Sequence, residues 1–146
     1  MDLFSRKIIS WVLSKTLEAE HVVNAVEKAK AARPIMHPLI FHADRGCRYV
    51  SERFLKATKD MTNSYSKKAY PWDNACMESF HALIKREWLS RFKIFNCNHA
   101  HKLIFEYIEA FYNTVRSHSH CGYLSPNQYE ASYLDKLERT MQKLAS

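Results

Sequence analysis

The sequence predicts an α/β fold with a helical second half, and three features of its pattern support this. Residues 8–13 and 39–41 are short apolar runs rich in β-branched and aromatic residues, which is typical of buried strands. A helical repeat of apolar residues lies between them, and longer helical repeats occupy the second half of the chain. An order of strand, helix, strand and then helices is expected of a layered α/β domain.

The elements of the first half can be placed in order from their caps and breakers. After the first strand, Thr16 is a candidate N-cap, and the helix that it begins must end before Pro34, because proline cannot donate the helical hydrogen bond. The second strand leads to Asp44, which lies just past its end. Ser51 is the candidate cap of a second helix, and residues 62–66 form a candidate third strand.

The second half is predicted to be helical. Asp73 or Asn74 is expected to cap a helix with a clear apolar stripe. Residues 102–117 carry a second apolar stripe at helical spacing, and we expect one continuous helix there. A break at Gly122 precedes a last short helix that starts at about Asn127.

The chain has 146 residues, which fits one domain, and its composition excludes several classes of protein. Its two glycines, Gly46 and Gly122, are too few for a glycine-rich dinucleotide motif or a P-loop. Four scattered cysteines without a Cys-x-x-Cys pair favour a reduced, intracellular protein. No apolar run approaches the ~20 residues of a membrane span, and the start of the sequence lacks a signal-peptide pattern. We therefore expect a cytoplasmic protein with no membrane partner.

The charge of the chain is basic and concentrated in its middle. There are 22 Lys and Arg against 15 Asp and Glu, a net charge of +7. Residues 45–93, called the basic stretch below, carry 11 Lys or Arg and 5 Asp or Glu, so that 11 − 5 gives +6 of that total. This balance favours a polyanionic partner, nucleic acid before membrane, although an ordinary solvated basic surface has the same count.

Two carboxylates are candidates for binding a divalent metal ion. Asp44 follows a predicted strand and Glu78 lies on a predicted helix, an arrangement that suits hard cations such as Mg²⁺, which prefer oxygen ligands. Two such ions can stabilise the attacking and leaving oxygens of a phosphoryl transfer. The alternative is that both carboxylates form ordinary ion pairs, Glu78 with Lys85 and Asp44 with a nearby arginine.

A loop over residues 67–72 interleaves cations with aromatic rings just before the predicted helix. Lys67 and Lys68 can contact phosphates, and Tyr70 and Trp72 can stack on bases. The alternative is a loop whose rings cover the edge of the core.

Two segments rich in cysteine and histidine look like halves of a zinc site. Residues 97–101 and residues 118–121 each hold one cysteine and two histidines. The helix predicted over residues 102–117 would be about 24 Å long and would hold the two halves too far apart for one ion. We therefore expect no zinc, and surface or interface roles for the histidines.

Five stretches of the sequence match, in order, the landmarks of one family. They are residues 2–8, residues 42–51, residues 72–80, Tyr112-Asn113 with Arg116 and His118, and Ser125-Pro126 with Tyr129-Glu130. Together they resemble the catalytic core of bacterial insertion-sequence transposases of the OrfB type, which are relatives of retroviral integrase with an RNase H-like fold. Several ordered motifs make this resemblance far more specific than any single motif.

The resemblance implies a DDE enzyme that catalyses DNA integration and transposition. In such enzymes three carboxylates hold two Mg²⁺ (or Mn²⁺) ions for DNA strand cleavage and strand transfer. Asp44 matches the family's second acidic residue, and Glu78 matches the glutamate of its Asp-Asn-Ala-x-x-Glu-Ser-Phe motif. A basic position on the same helix, where family members contact DNA, is matched by Lys85. The expected DNA-binding residues are Lys67, Lys68, Lys85 and Arg86.

Two departures from the family pattern bear on activity. Asp44 and Glu78 are separated by 33 residues (78 − 44 − 1) where many relatives have about 35, which we interpret as a subgroup trait. The family's first aspartate lies upstream of the landmark in which this chain begins, and Asp2 matches a structural position. We therefore expect an RNase H-like core lacking its first strand and one-third of its metal site, with residues 1–130 as the partial core and residues 131–146 as a helical tail.

The resemblance thus predicts an incomplete transposase that need not be active, acting on mobile-element ends and target DNA. Self-association into a homo-oligomer is inferred from the family alone. An alternative from another class is a non-catalytic DNA- or protein-binding fragment that modulates a full-length transposase. Such a fragment would bind DNA with a steep salt dependence and without metal. A third alternative, a zinc-binding module, predicts stoichiometric zinc.

Overall fold

The computed structural model of the chain describes residues 1–68 and 70–145. Two of the predicted segments therefore contain a position outside the described residues, Ala69 in the basic loop and Ser146 at the end of the helical tail. None of the helices in the described residues is long and apolar enough to cross a membrane.

The chain divides into two compact units, and each is described by itself. The first unit consists of Met1–Ile8 together with Ala82–Ser146. The second unit consists of Ile9–His81.

The second unit contains a two-stranded parallel sheet and the helices around it. Strand β1 (Ile40–Ala43) pairs along its length with strand β2 (Thr62–Tyr65). Parallel strands need a long crossover, and here it includes helix α2 (Glu52–Ala57). Helix α1 (Ala19–Ala32) precedes the sheet. The second and third strands of the prediction are therefore confirmed.

The core of the second unit forms where α1, α2 and β1 meet. Val26 of α1 and Phe54 and Ala57 of α2 are buried together. The ring of Phe54 lies 5.4 Å from the ring of Phe41 in β1 and 5.5 Å from that of Tyr49, both edge-on. These contacts hold β1, and therefore the residues that follow it, against the two helices.

Two local signals of this unit act as predicted. Ser51 caps α2, because its Oγ accepts a hydrogen bond from Phe54 N at 3.3 Å. Helix α1 ends before Pro34, with Arg33 as its C-cap.

The cap predicted for α1 at Thr16 is wrong. Glu18 occupies the N-cap position and makes no side-chain capping bond. The Thr16 hydroxyl lies 2.9 Å from Nε2 of His21 and is occupied by that contact.

The cap predicted at Asp73 or Asn74 for helix α3 (Ala75–Glu87) is wrong as well. A 3₁₀ turn over Pro71–Asn74 continues directly into the helix and contains both residues. The Asp73 side chain turns back along the chain, and its Oδ2 accepts a hydrogen bond from Lys67 N at 2.8 Å.

The first unit is helical, as predicted, but its helices have other bounds. Helix α4 (Cys97–Phe105) continues as a π-helix over Glu106–Tyr112, and helix α5 spans Pro126–Ala145. The continuous helix predicted over residues 102–117 is therefore wrong at both ends. A π-turn contains one extra residue, and here Asn113 N donates to the carbonyl five residues earlier, at 3.0 Å. The last helix has 20 residues and is longer than predicted.

The strand predicted over residues 8–13 is not formed in the part of the chain that the structure describes. Ile8 N donates to Oδ1 of Asn113, and Nδ2 of Asn113 donates to the Ile8 carbonyl, both at 3.0 Å and both buried. A side-chain amide thus satisfies the two backbone groups that a neighbouring strand would otherwise pair. One amide cannot continue this pairing along the chain, and so no ladder develops.

Candidate metal and DNA site

Asp44 directly follows β1, at the strand end where it was predicted. Its side chain is exposed, and Oδ1 accepts a hydrogen bond from Gly46 N at 3.1 Å. A Cβ at Gly46 would lie 3.1 Å from that same oxygen and 3.4 Å from the ring of Tyr49, so a side chain would crowd this turn. The pKa of Tyr49 is raised by burial and also by the negative charge of Asp44. One carboxylate oxygen of Asp44 therefore shapes the turn, and the other is available to a cation.

The residues beyond the ends of β1 and β2 continue the pairing of the two strands. Ser66 N donates to the carbonyl of Ala43 at 2.9 Å, and Nε of Arg45 donates to the carbonyl of Ser66 at 2.8 Å. The imidazole of His42 lies between two hydroxyls, with Nδ1 3.0 Å from Oγ of Ser64 and Nε2 3.1 Å from Oγ of Ser66.

The alternative in which Asp44 forms an ion pair with a nearby arginine is not observed among the described residues.

Glu78 lies in the first turn of α3, where the helix N-terminus favours a negative charge. Its side chain is exposed and makes no hydrogen bond or ion pair within residues 1–68 and 70–145. The ion pair with Lys85, the alternative considered for this residue, is therefore not formed there. The carboxylate of Glu78 is available to a ligand from outside the chain.

The four predicted DNA-binding residues are all exposed, and none forms an ion pair in the described part of the chain. Lys67 and Lys68 follow β2, whereas Lys85 and Arg86 lie in the last turn of α3. Trp72, in the turn before α3, is 76% exposed and does not cover the core, contrary to the alternative for this loop. Exposed cations and an exposed ring are the groups that a nucleic acid can contact.

The structure brings only some of the predicted site residues into one unit. Those of the second unit are Asp44, Lys67, Lys68 and Glu78, and those of the first unit are Lys85 and Arg86. No group of three or more His, Cys, Asp or Glu side chains among the described residues could hold a metal ion. Asp44 and Glu78 stay the candidate metal donors predicted from the sequence, and carboxylate oxygens suit Mg²⁺ or Mn²⁺ better than zinc.

Among the histidines of the two cysteine- and histidine-rich segments, His101 and His120 are exposed, as the prediction of surface roles requires, whereas His118 is not. His118 is buried with its ring 4.6 Å from that of Tyr112, edge-on, and burial lowers the pKa of His118. Cys121 is also buried, and its Sγ donates to the carbonyl of Ser5 at 3.3 Å. These two side chains therefore belong to the interior of the first unit.

A partly buried cluster that sequence reasoning missed lies within the first unit and links Glu87, the last residue of α3, to the π-helix and the residues after it. The guanidinium of Arg116 binds Glu87 through two parallel hydrogen bonds, Nε to Oε2 at 2.8 Å and Nη2 to Oε1 at 2.7 Å. The hydroxyl of Tyr107, whose residue is fully buried, donates to Oε2 of Glu87 at 2.8 Å. The hydrogen bond from Arg116 lowers the pKa of Glu87. The pKa of Tyr107 is raised, mainly by burial and secondly by its hydrogen bond to Glu87. Only the Tyr112-Asn113 motif with Arg116 pointed to this region, and no local spacing links Arg116 to Glu87.

Two protein-family models match the chain. Both are described as an integrase core domain, one matching residues 1–71 and the other residues 51–126.

Curated proteins similar to the chain are transposases. The transposase for insertion sequence element IS904 of Lactococcus lactis subsp. lactis (strain IL1403) is 36% identical over 132 residues, which is 89% of this chain and 52% of that protein. Transposase InsF for insertion sequence IS3A of Escherichia coli (strain K12) is also 36% identical over 132 residues, 89% of this chain and 46% of that protein. The chain thus spans about half the length of the curated relatives that it matches.

A solved structure shows the fold. The cryo-EM structure of the simian T-cell lymphotropic virus intasome in complex with PP2A regulatory subunit B56 gamma matches with a TM-score of 0.62 and 16% identity. The match covers 80% of this chain and 41% of that chain. The predicted α/β fold of the RNase H-like, retroviral integrase type is therefore confirmed.

Proposed function

The chain belongs to the integrase core domain family, since one family model covers residues 51–126, or 76 of its 146 residues, and on this premise we propose that it is part of a transposase. The activity proposed is DNA integration by metal-dependent phosphoryl transfer. The observation that carries this proposal is the pair of available carboxylates, Asp44 at the end of β1 and Glu78 in the first turn of α3, in one unit of such a fold.

Asp44 and Glu78 are proposed to hold the divalent ions, Mg²⁺ or Mn²⁺, with two ions in a complete site. When bound, such ions neutralise phosphate charge and activate the attacking oxygen. The hydrogen bond from Gly46 fixes the orientation of the Asp44 carboxylate. Glu78 has no competing partner among the described residues, so binding an ion breaks no existing contact of this side chain.

The proposed reaction has two parts. In the first, water attacks a phosphorus at the end of the mobile element, the bond from phosphorus to the 3′ oxygen breaks, and a 3′-hydroxyl is left. In the second, that hydroxyl attacks a phosphodiester of the target DNA, a new P–O bond forms, and the 3′ oxygen of the target strand leaves. Lys67 and Lys68 are proposed to bind backbone phosphates, and Lys85 and Arg86 are each proposed to contact DNA as well.

The proposed partners follow from this chemistry. They are mobile-element ends, target DNA and further copies of the chain in a homo-oligomer. A transposase of this type works where bacterial DNA lies, and we propose the cytoplasm as its location.

A strand-transfer assay on the end DNA of the matching element tests the proposed activity. We expect product only with Mg²⁺ or Mn²⁺, and a loss of product in both Asp44→Asn and Glu78→Gln. Asp60→Asn is the matched control, because Asp60 forms an ion pair with Lys30 at 2.9 Å and is not a candidate ligand. Product that is independent of metal, or full activity of Asp44→Asn, would contradict the proposal.

A second candidate function is a non-catalytic DNA-binding fragment that modulates a full-length transposase. It is favoured by the absence of a third carboxylate from the candidate donors among the described residues. This function predicts binding in EDTA with a log–log salt slope of about −3 to −4 for four phosphate contacts. Replacing Lys67 and Lys68 together by Gln should reduce the magnitude of the slope by about 2. Competition with an active full-length relative, without activity of the chain itself, would support this candidate.

A further inference from the structure

The segment that contains Asp44 is hydrogen-bonded, on both sides of that residue, to Ser66, the residue that directly follows β2. Ala43, just before Asp44, accepts a hydrogen bond from Ser66 N at 2.9 Å, and Arg45, just after it, donates through Nε to the Ser66 carbonyl at 2.8 Å. The imidazole of His42 adds a contact to Oγ of Ser66 at 3.1 Å. Ser66 is 8% exposed, and three residues around Asp44, namely His42, Ala43 and Arg45, form hydrogen bonds with it.

The turn that leads to Glu78 is hydrogen-bonded to Lys67, the residue that follows Ser66. Oδ2 of Asp73 accepts a hydrogen bond from Lys67 N at 2.8 Å. Asp73 lies in the 3₁₀ turn that continues into α3, and Glu78 follows five residues later in the first turn of that helix. The position of Asp73 therefore bears on that of Glu78 through a continuous hydrogen-bonded turn and helix.

Ser66 and Lys67 are consecutive residues, so one short segment anchors both candidate ligands. We propose that Asp73 and Arg45 are positioning residues of the metal site. Asp73 acts through Lys67 on the position of Glu78. Arg45 acts through Ser66 on the position of Asp44. We call these contacts the clasp. The proposal rests on the proposed function, because it assigns roles toward the same metal site. It gives Asp73, within the Asp-Asn-Ala-x-x-Glu motif, a role that is neither helix cap nor metal ligand.

Binding of Mn²⁺ without DNA, followed by the EPR signal of the free ion, measures the effect directly. Residues that orient metal ligands typically change metal affinity by 10- to 100-fold, and we expect a weakening of about tenfold or more for Asp73→Ala. Asp73→Asn keeps an oxygen that can accept from Lys67 N, and we expect affinity within about threefold of the wild-type chain. Asp60→Asn, which removes a negative charge of the same unit outside the clasp, should behave like Asp73→Asn.

Arg45→Met separates positioning from simple electrostatics. Removing a cation next to Asp44 strengthens the binding of another cation if charge alone acts. The clasp predicts the opposite sign, because the Ser66 carbonyl loses its donor and the turn that carries Asp44 loosens. Weaker Mn²⁺ binding by Arg45→Met therefore supports the proposal, and equal or tighter binding overturns it.

A second measurement does not depend on metal or on the folding of the variants. Amide exchange in the wild-type chain should show Lys67 N–H protected, since it is bonded to Asp73. Exchange at the rate of a free loop amide would overturn the clasp even if Asp73→Ala does not fold. Equal loss of Mn²⁺ affinity in Asp73→Asn and Asp73→Ala would also overturn it, in favour of a direct ligand role for the carboxylate.

Failure of the clasp can be told apart from failure of the proposed function. If Asp44→Asn abolishes Mn²⁺ binding but Asp73→Ala and Arg45→Met bind normally, the clasp is wrong and the metal site stands. If the wild-type chain binds no Mn²⁺, or Asp44→Asn binds it normally, the metal site itself is wrong, and the clasp as a device for that site falls with it.

Discussion

Removing the guanidinium of Arg116 should destabilise the first unit strongly. Arg116→Ala leaves Glu87 with one hydrogen bond, from Tyr107, in place of three. Breaking a fully buried ion pair costs about 3–5 kcal/mol, whereas an exposed pair is worth about 0–1 kcal/mol. The side chains of Arg116 and Glu87 are 20% and 25% exposed, so we expect an intermediate loss of about 2–3 kcal/mol in the free energy of unfolding at pH 7.

The pH dependence of this loss has a definite sign. The pKa of Glu87 is lowered from its ordinary value of 4.5, mainly by the hydrogen bond from Arg116. A carboxylate with a lowered folded-state pKa stabilises the fold above its unfolded-state pKa, and this stabilisation is lost as the pH falls through the folded-state value. The difference in unfolding free energy between the wild-type chain and Arg116→Ala should therefore shrink as the pH falls below about 4.5.

Urea unfolding of the wild-type chain and three variants at neutral and acid pH tests this reasoning. Arg116→Lys keeps the charge but not the paired hydrogen bonds, and it should recover only part of the loss. Lys102→Ala is the control, since Lys102 and Glu106 form an exposed pair at 3.9 Å that is worth about 0.5 kcal/mol or less. The reasoning is refuted if Arg116→Ala loses no more than this control, or if its loss is the same at acid and neutral pH.

Further outcomes are expected from single substitutions elsewhere. Asn113→Leu should cost about 2–4 kcal/mol in urea unfolding, because it leaves the N–H and carbonyl of Ile8 buried without partners. Phe54→Ala should cost about 3–5 kcal/mol in the same assay, since the ring is fully buried at the centre of the second unit's core. Ser51→Ala should lower the free energy of unfolding by about 1 kcal/mol, because α2 loses its cap. A loss below about 0.3 kcal/mol in thermal unfolding would contradict this role of Ser51. The pKa of His118 is lowered by burial, so wild-type stability should fall as the pH drops below about 6.5, and His118→Phe should remove this slope in a pH series of unfolding curves.

The elements that could be predicted from the sequence are those specified by neighbouring residues. The strand at residues 39–41 follows from a short apolar run, and the candidate strand at residues 62–66 is a weaker pattern that includes Thr62 and Tyr65; the two strands observed lie at these places. Ser51 and Pro34 act on residues within one helical turn of themselves, which is why both signals were correct. Asp44 could be placed at a strand end for the same reason.

The features that could not be predicted depend on partners far away in the sequence. The amide of Asn113 replaces a strand partner for Ile8, 105 residues away, and turns an apolar run into a segment without a ladder. Glu87 and Arg116 are 29 residues apart, and the extra residue of the π-helix between them shifts the helical phase. The partner of Asp73 could not be predicted for a local reason. Its short carboxylate can accept a hydrogen bond from a backbone amide of the helix that follows or from one of the loop that precedes it, and the two bonds have similar energies.

The contacts of the acidic side chains in the basic stretch identify a candidate functional residue there more specifically than composition does. This stretch has five acidic side chains, and three of them form contacts within the chain. Asp60 and Glu87 form ion pairs and Asp73 accepts from a backbone amide, whereas Glu52 only lies in the first turn of α2, where the helix dipole favours a negative charge. Glu78 has the same helix-terminal position but is the one that matches a family motif and follows the segment anchored by Asp73. Its carboxylate is exposed and has no partner among the described residues, which is why the proposed function assigns Glu78, together with Asp44, to a divalent cation.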